Sequence, residues 1–217
     1  ESRDPSIVWT GTEYGVVWED HRDRAAGYDI YTGWGQLNAA VAMNDNGDFV
    51  VVWEQDSGNF EKKYDIYARS FDINGSDLGG NQIMVNVQQL NEQLAPSVAM
   101  DSDGNFVVAW QSASGDGDGK AILAQRFAAD GTTRCSEFVV NVTATDEQTE
   151  PAVAMDAVGN FLVAWTSHDQ DGSGQGVFAR LFAAQVVALL GTGLMTVALA
   201  LLAYDLAGER AGAVLGT

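Results

Sequence analysis

Hydrophobic and polar positions fall into short strand-length runs separated by Gly-containing turns, the pattern of antiparallel strands joined by tight hairpins. In the clearest block an apolar run, Ser97–Met100, is followed by a turn ending in Asp103-Gly104. Next comes Phe106–Gln111, rich in valine and carrying Trp110, which suits a strand buried on both faces. After a Gly/Asp loop the chain reads Ala121–Phe127, turns at Asp130-Gly131, and ends the block with Glu137–Val142. The preceding block matches it with Tyr64–Phe71, a turn at Asn74-Gly75, and Gln82–Val87. Asn-Gly and Asp-Gly accept the positive φ of tight hairpins, so each block is expected to be a four-stranded antiparallel meander.

The blocks are copies of one unit. Asn91–Trp110 returns as Asp146–Trp165 with thirteen of the 20 positions identical, where chance would give roughly one or two. An earlier copy runs Ala40-Val41-Ala42-Met43, Asn46-Gly47-Asp48-Phe49 and on to Trp53. A diverged one runs Ser6-Ile7-Val8-Trp9 and Glu13–Trp18. In that first copy Tyr28-Asp29-Ile30-Tyr31 matches Tyr64-Asp65-Ile66-Tyr67, but the fourth strand is skipped before Ala39. The last copy reaches Val177–Phe182 and stops, so the expected strand count is about 3+4+4+3.

A four-stranded meander repeated every 55 or so residues is the blade of a β-propeller. The phrase Val-Ala-Met-Asp-x-x-Gly-Asn-Phe-x-Val-Ala-Trp also resembles a propeller-type repeat of bacterial surface and secreted proteins. That resemblance covers residues 1–182 and implies a fold and an extracellular or periplasmic setting, without an activity. The expected fold class is all-β: about four blades (1–37, 38–93, 94–148 and 149–182) in a partial or open propeller, followed by a transmembrane α-helix.

That helix is expected at 183–205. Ala183–Tyr204 carries no charge over 22 residues, enough to cross about 30 Å of hydrocarbon as a helix. Residues 206–217 read as the start of a second apolar segment. Residues 184–217, from Ala184-Gln185-Val186-Val187 through Gly191-Thr192-Gly193 to Tyr204-Asp205-Leu206, resemble the first helix and second-helix start of a major facilitator superfamily transporter. The resemblance implies a transporter activity lying beyond Thr217, with the soluble part incidental. Glu1 and the apolar run to Thr217 both read as cut ends, so a fragment or chimera is expected.

Charge narrows the partners. With 30 acidic against 11 basic side chains the net charge is −19, which argues against nucleic acid. One cysteine, Cys135, excludes an internal disulfide, and two histidines beside it are too few for a zinc site.

Candidate chemistry lies in the loops between second and third strands, which should share one end with the fourth-to-first connections. The loops hold Asp56, Asp116, Asp118, Asp169 and Asp171; the connections add Glu92, Asp146, Glu147 and Glu150. Asp116 with Asp118, and Asp169 with Asp171, are spaced two apart among glycines and are the calcium candidates; otherwise they are solvated acidic turns. Asp45, Asp48, Asp101, Asp103 and Asp156 lie at the other end and read as turn formers. Trp18, Trp53, Trp110 and Trp165 recur at one position and read as packing between blades rather than a glycan platform. Tyr28, Tyr31, Tyr64 and Tyr67 read as packing too, each pair on one strand face. His21 and His168 have no nucleophile beside them, so a triad is not expected.

These readings make the chain a non-catalytic, membrane-attached surface binding or scaffolding module, with glycan or protein ligands on its blade loops and calcium as a stiffener. A glycan-acting propeller enzyme is the remaining alternative, because acidic loops are plentiful.

Overall fold

The computed structural model describes residues 2–9, 14–20, 36–59, 62–88, 91–113, 115–169, 172 and 174–183. The chain divides into two units, Glu1–Phe182 and Ala183–Thr217. The expected membrane helix at 183–205, the segment at 206–217 and the transporter-like stretch lie, apart from Ala183, outside the described residues. Among the described residues no helix is long and apolar enough to cross a membrane.

Every regular element described is a strand. In chain order they are β1 (Ser2–Trp9), β2 (Tyr14–Asp20), β3 (Gln36–Met43), β4 (Phe49–Asn59), β5 (Lys62–Phe71), β6 (Ile83–Met84) and β7 (Gln93–Met100). They continue with β8 (Phe106–Ser112), β9 (Ala121–Phe127), β10 (Phe138–Val139), β11 (Gln148–Met155), β12 (Phe161–His168) and β13 (Gln175–Phe182). Four antiparallel sheets result, ordered β1-β2, β3-β4-β5-β6, β7-β8-β9-β10 and β11-β12-β13. Each strand pairs only with its sequence neighbours, so the expected meanders are present. The third strand expected at Tyr28–Tyr31 lies outside the described residues.

Apolar side chains on both faces of the middle sheets make these sheets stack. Val50, Val52, Ile66 and Ala68 of one sheet are buried against Phe106, Val108, Trp110 and Phe127 of the next. The opposite face of that second sheet, with Val107, Ala109, Ile122 and Ala124, is buried against Phe161, Val163 and Trp165. Each seam thus sets an aromatic face bearing the repeat tryptophan against a face of smaller residues. As its Val-rich sequence requires, β8 is buried from both sides, with only Gln111 half-exposed.

Two strand boundaries depart from the sequence reading for identifiable reasons. The first strands begin earlier, at Gln93 rather than Ser97, because the proline sits in a bulge instead of ending the strand. Register shifts between Leu94 and Ser97, and between Thr149 and Ala152, spanning Pro96 and Pro151, which have no N–H to give the ladder. The fourth strands are shorter, two residues each, because an asparagine side chain replaces the backbone. Ile66 N–H donates to Asn86 Oδ1 at 2.7 Å, and Ile122 N–H donates to Asn141 Oδ1 at 2.9 Å.

The hairpins at one end are held by side-chain caps. Oδ1 of Asn44, Asp101 and Asp156 each accepts the backbone N–H groups two and four residues on. The glycines that follow, Gly47, Gly104 and Gly159, take φ of 82–88°, as these turns require. In the turns after the third strands Asp72 caps in the same way, while Asp130 accepts both the N–H and the hydroxyl of Thr132. Of the acidic residues expected as turn formers at this end, Asp101 and Asp156 cap their hairpins, and Asp48 N–H and carboxylate both meet Asn44.

These caps carry a pH signature. The Ser76 N–H holds the Asp72 carboxyl below the usual range, the Thr132 N–H does so for Asp130, and the Asn160 amide for Asp156. A carboxyl with a lowered folded pKa adds stability that is complete above the ordinary value of about 3.9 and is lost as pH falls through the lowered one. The urea midpoint is expected to drop below about pH 4, and the D72N/D130N/D156N variant to drop less steeply, since asparagine caps this turn natively at Asn44. An equally steep fall in the variant would remove these three groups as the cause.

Candidate functional site

The opposite end gathers the acidic loops. Pairing of Gln93 with Ser112 and of Gln148 with Ser167 places the start of each first strand beside the end of its second. Backbone bonds then tie the connections to the loops: Ala113 N–H donates to Glu92 O, His168 N–H to Glu147 O, and Gln148 N–H to Lys120 O. Gly119 packs so closely on Asp146 that a side chain there would meet its carbonyl oxygen at 3.0 Å. Lys120 reaches Glu147 across the same seam at 3.3 Å. Asp116, Asp118, Asp146, Glu147 and Asp169 thus lie on one end of the stacked sheets, as the alternation of strand direction requires.

Within that end the carboxylates have separate duties. Asp116 Oδ2 accepts from Asn141 Nδ2 at 2.6 Å, coupling the loop to the side chain that closes the fourth strand. Its Oδ1 accepts from Asp118 N–H at 3.4 Å, while Asp118 itself is exposed. Asp169, in the next sheet, caps its own loop by accepting Gly174 N–H at 2.7 Å. Asp171 lies outside the described residues. Among the described residues no three His, Cys, Asp or Glu side chains gather as a metal-binding set. Any cation at Asp116 and Asp118 would be completed by backbone carbonyls or water.

The first four-stranded sheet adds an aromatic group to this end. Asp56 is exposed and stands directly opposite the half-buried Tyr64 across the β4–β5 pair. Tyr64 and Tyr67 do not share a strand face, contrary to expectation, because residues three apart in a strand point to opposite sides. Tyr67 stacks on Trp53 at 6.4 Å between ring centroids, and burial together with the nearby Asp65 charge raises its pKa. His168 lies beside Gln175 on the neighbouring strand; His21, Tyr28 and Tyr31 lie outside the described residues.

Three of the four repeat tryptophans are core. Trp53, Trp110 and Trp165 are all buried, and Trp18 belongs to β2, its side chain outside the described residues. Two donate their indole N–H to a glutamine of the adjoining first strand, Trp110 to Gln93 and Trp165 to Gln148, each at 2.9 Å. Those glutamines were visible as identical positions in the repeat, but their role depends on strand register.

The sequence reading also missed a set of links between sheets. The residue after each tryptophan accepts the N–H of the bulge residue in the following sheet: Glu54 Oε1 from Ala95 at 2.6 Å, Gln111 Oε1 from Glu150 at 3.4 Å. Both bulge residues have positive φ, 51° and 53°, a conformation that neither side chain favours.

No protein-family model and no curated protein matches the chain. Among solved structures it is similar to an endo-arabinase from Bacteroides thetaiotaomicron, at 13% identity and TM-score 0.47 over 80% of this chain and 68% of that one. It is also similar to an endo-1,4-beta-xylanase from the same organism, at 10% identity and TM-score 0.49, over 82% and 70%. A protein of unknown function from Dyadobacter fermentans gives 14% identity and TM-score 0.49, over 76% and 44%. At these values the likeness assigns no activity. The expectation of a non-catalytic module is nevertheless not upheld, since two of these proteins are named an endo-arabinase and an endo-1,4-beta-xylanase.

Proposed function

We propose that residues 1–182 form an arc of a β-propeller whose loop end binds a glycan, in an extracellular or periplasmic setting, with 183–205 as the membrane attachment. The observation that supports this most is the convergence of the loops and connections of consecutive sheets on one acidic end. The other end is occupied by capped hairpins. Exposed carboxylates accept hydrogen bonds from sugar hydroxyls, and the ring of Tyr64 beside Asp56 offers a surface on which a sugar ring can stack. Several weak sites along one arc would sum by avidity on a repeating polymer.

The test is a panel of neutral and acidic polysaccharides against the full chain, with bound fraction and released reducing ends measured together. Binding to a neutral polymer is expected, weakened about tenfold by Tyr64→Ala, the size of one aromatic contact. Asp101→Asn at the opposite end should leave binding unchanged. Reducing ends released in step with binding would show that the bound glycan is cut. Binding only to basic proteins, abolished by high salt, would overturn the glycan reading in favour of an electrostatic protein ligand.

A further inference from the structure

The β11–β12–β13 sheet carries an exposed copy of a face that is buried twice elsewhere in the same molecule. In the seams described above, Val50, Val52, Ile66 and Ala68, and then Val107, Ala109, Ile122 and Ala124, are each covered by the tryptophan face of the following sheet. The same repeat positions on β12 and β13 are Leu162, Ala164, Val177 and Ala179, with Ala154 and Leu181 beside them. Strand pairing puts them on one side: Ala154 opposite Leu162, Leu162 opposite Leu181, Ala164 opposite Ala179. No described element covers that side. Val177 is 81% exposed, Leu181 70% and Leu162 40%.

The polar link of each seam is repeated there as well. Glu54 and Gln111, each following a repeat tryptophan, accept the bulge N–H of the next sheet. Thr166 follows Trp165 and faces the same side as Leu162 and Val177, its hydroxyl able to take that role. Apolar surface and acceptor together are half of a seam, and its other half is the tryptophan face of a sheet of this repeat.

We infer that this face docks the first repeat of a second copy of the chain, head to tail. Each internal seam joins two different faces, so the contact is heterologous, and its repetition closes a ring or extends a row. The second copy supplies the partner at the other end of its own row, where the β1–β2 hairpin, which carries the repeat tryptophan Trp18, lies against β3. This goes beyond the glycan reading and does not depend on it.

The experiment is sedimentation equilibrium of the full chain in mild non-ionic detergent across a hundredfold range of concentration. The wild-type chain should form dimers or larger species as concentration rises, and Val177→Glu should shift half-association at least tenfold upward. Ile73→Asp, at an exposed apolar turn residue on another sheet, should associate as wild type does. Circular dichroism checks that each variant keeps its strands, and Leu181→Asp replaces Val177→Glu if that variant unfolds. A wild-type monomer at every concentration overturns the inference. So does association that survives Val177→Glu or is lost equally in Ile73→Asp, because the face on β12 and β13 would then not be its cause.

Discussion

Replacing Trp110 by alanine is expected to lower the unfolding free energy by about 3–5 kcal/mol, the usual cost of emptying a fully buried aromatic site. Trp110 is wholly inaccessible at the seam between the second and third meanders counted from the N-terminus, packed among Val52, Phe106 and Leu123. The loss has two parts, and a second variant separates them. Trp110→Phe keeps most of the apolar volume but strips Gln93 Oε1, itself fully buried, of the indole donor it meets at 2.9 Å. That variant is expected to lose about 1–3 kcal/mol, the cost of a lost buried hydrogen bond with a small cavity. Urea unfolding followed by far-ultraviolet circular dichroism reads both. A Trp110→Ala chain as stable as the wild type would mean that the seam does not hold the two sheets together.

The same residue shows how far the sequence reaches. Recurrence at the end of a Val-rich run marks Trp53, Trp110 and Trp165 as packing residues, and all three are buried. The partner glutamines of Trp110 and Trp165, 17 positions earlier, are equally visible as repeats. Nothing in a linear pattern assigns them to the indole, because that assignment needs the register of one strand against the next. Meander order follows from turn chemistry in each hairpin, which is local and therefore legible.

Sheet-to-sheet geometry is another matter. Opposed strand directions place the acidic loops at one end, which alternation alone predicts. Which carboxylate meets which partner is set by pairs far apart in sequence, such as Asp116 with Asn141 or Lys120 with Glu147. The strand limits fail for a related reason. Val-Asn-Val reads as strand by propensity, yet in Val85-Asn86-Val87 and Val140-Asn141-Val142 the asparagine side chain takes over the ladder and ends it. Proline in Ala95-Pro96 and Glu150-Pro151 reads as a strand boundary but occupies a bulge within the strand.

Those bulges locate the second large effect, at Glu54. Its side chain is almost wholly buried, and Oε1 accepts both Asn38 Nδ2 at 2.7 Å and Ala95 N–H at 2.6 Å. Ala95 holds a φ of 51°, a conformation costing on the order of 1 kcal/mol for a residue with a Cβ, so its N–H bond helps to keep the bulge in place. Glu54→Leu removes the acceptor while filling the volume. It is expected to cost about 2–3 kcal/mol, near the upper end for an orphaned buried donor because two bonds to Oε1 are lost together. In a chain of this size that corresponds to a fall in melting temperature of roughly 4–12 °C. Glu54→Gln should cost under about 1 kcal/mol, since a side-chain carbonyl still faces the N–H. The repeat itself makes that substitution one unit later, where Gln111 accepts from Glu150. The ordering of the two variants is therefore the decisive readout from thermal unfolding. If Glu54→Gln falls as far as Glu54→Leu, an amide does not replace the carboxyl group at this seam, and the link at Gln111 is not its equivalent. If neither falls, the bulges are fixed by proline and packing alone, and the apolar faces by themselves hold one sheet to the next.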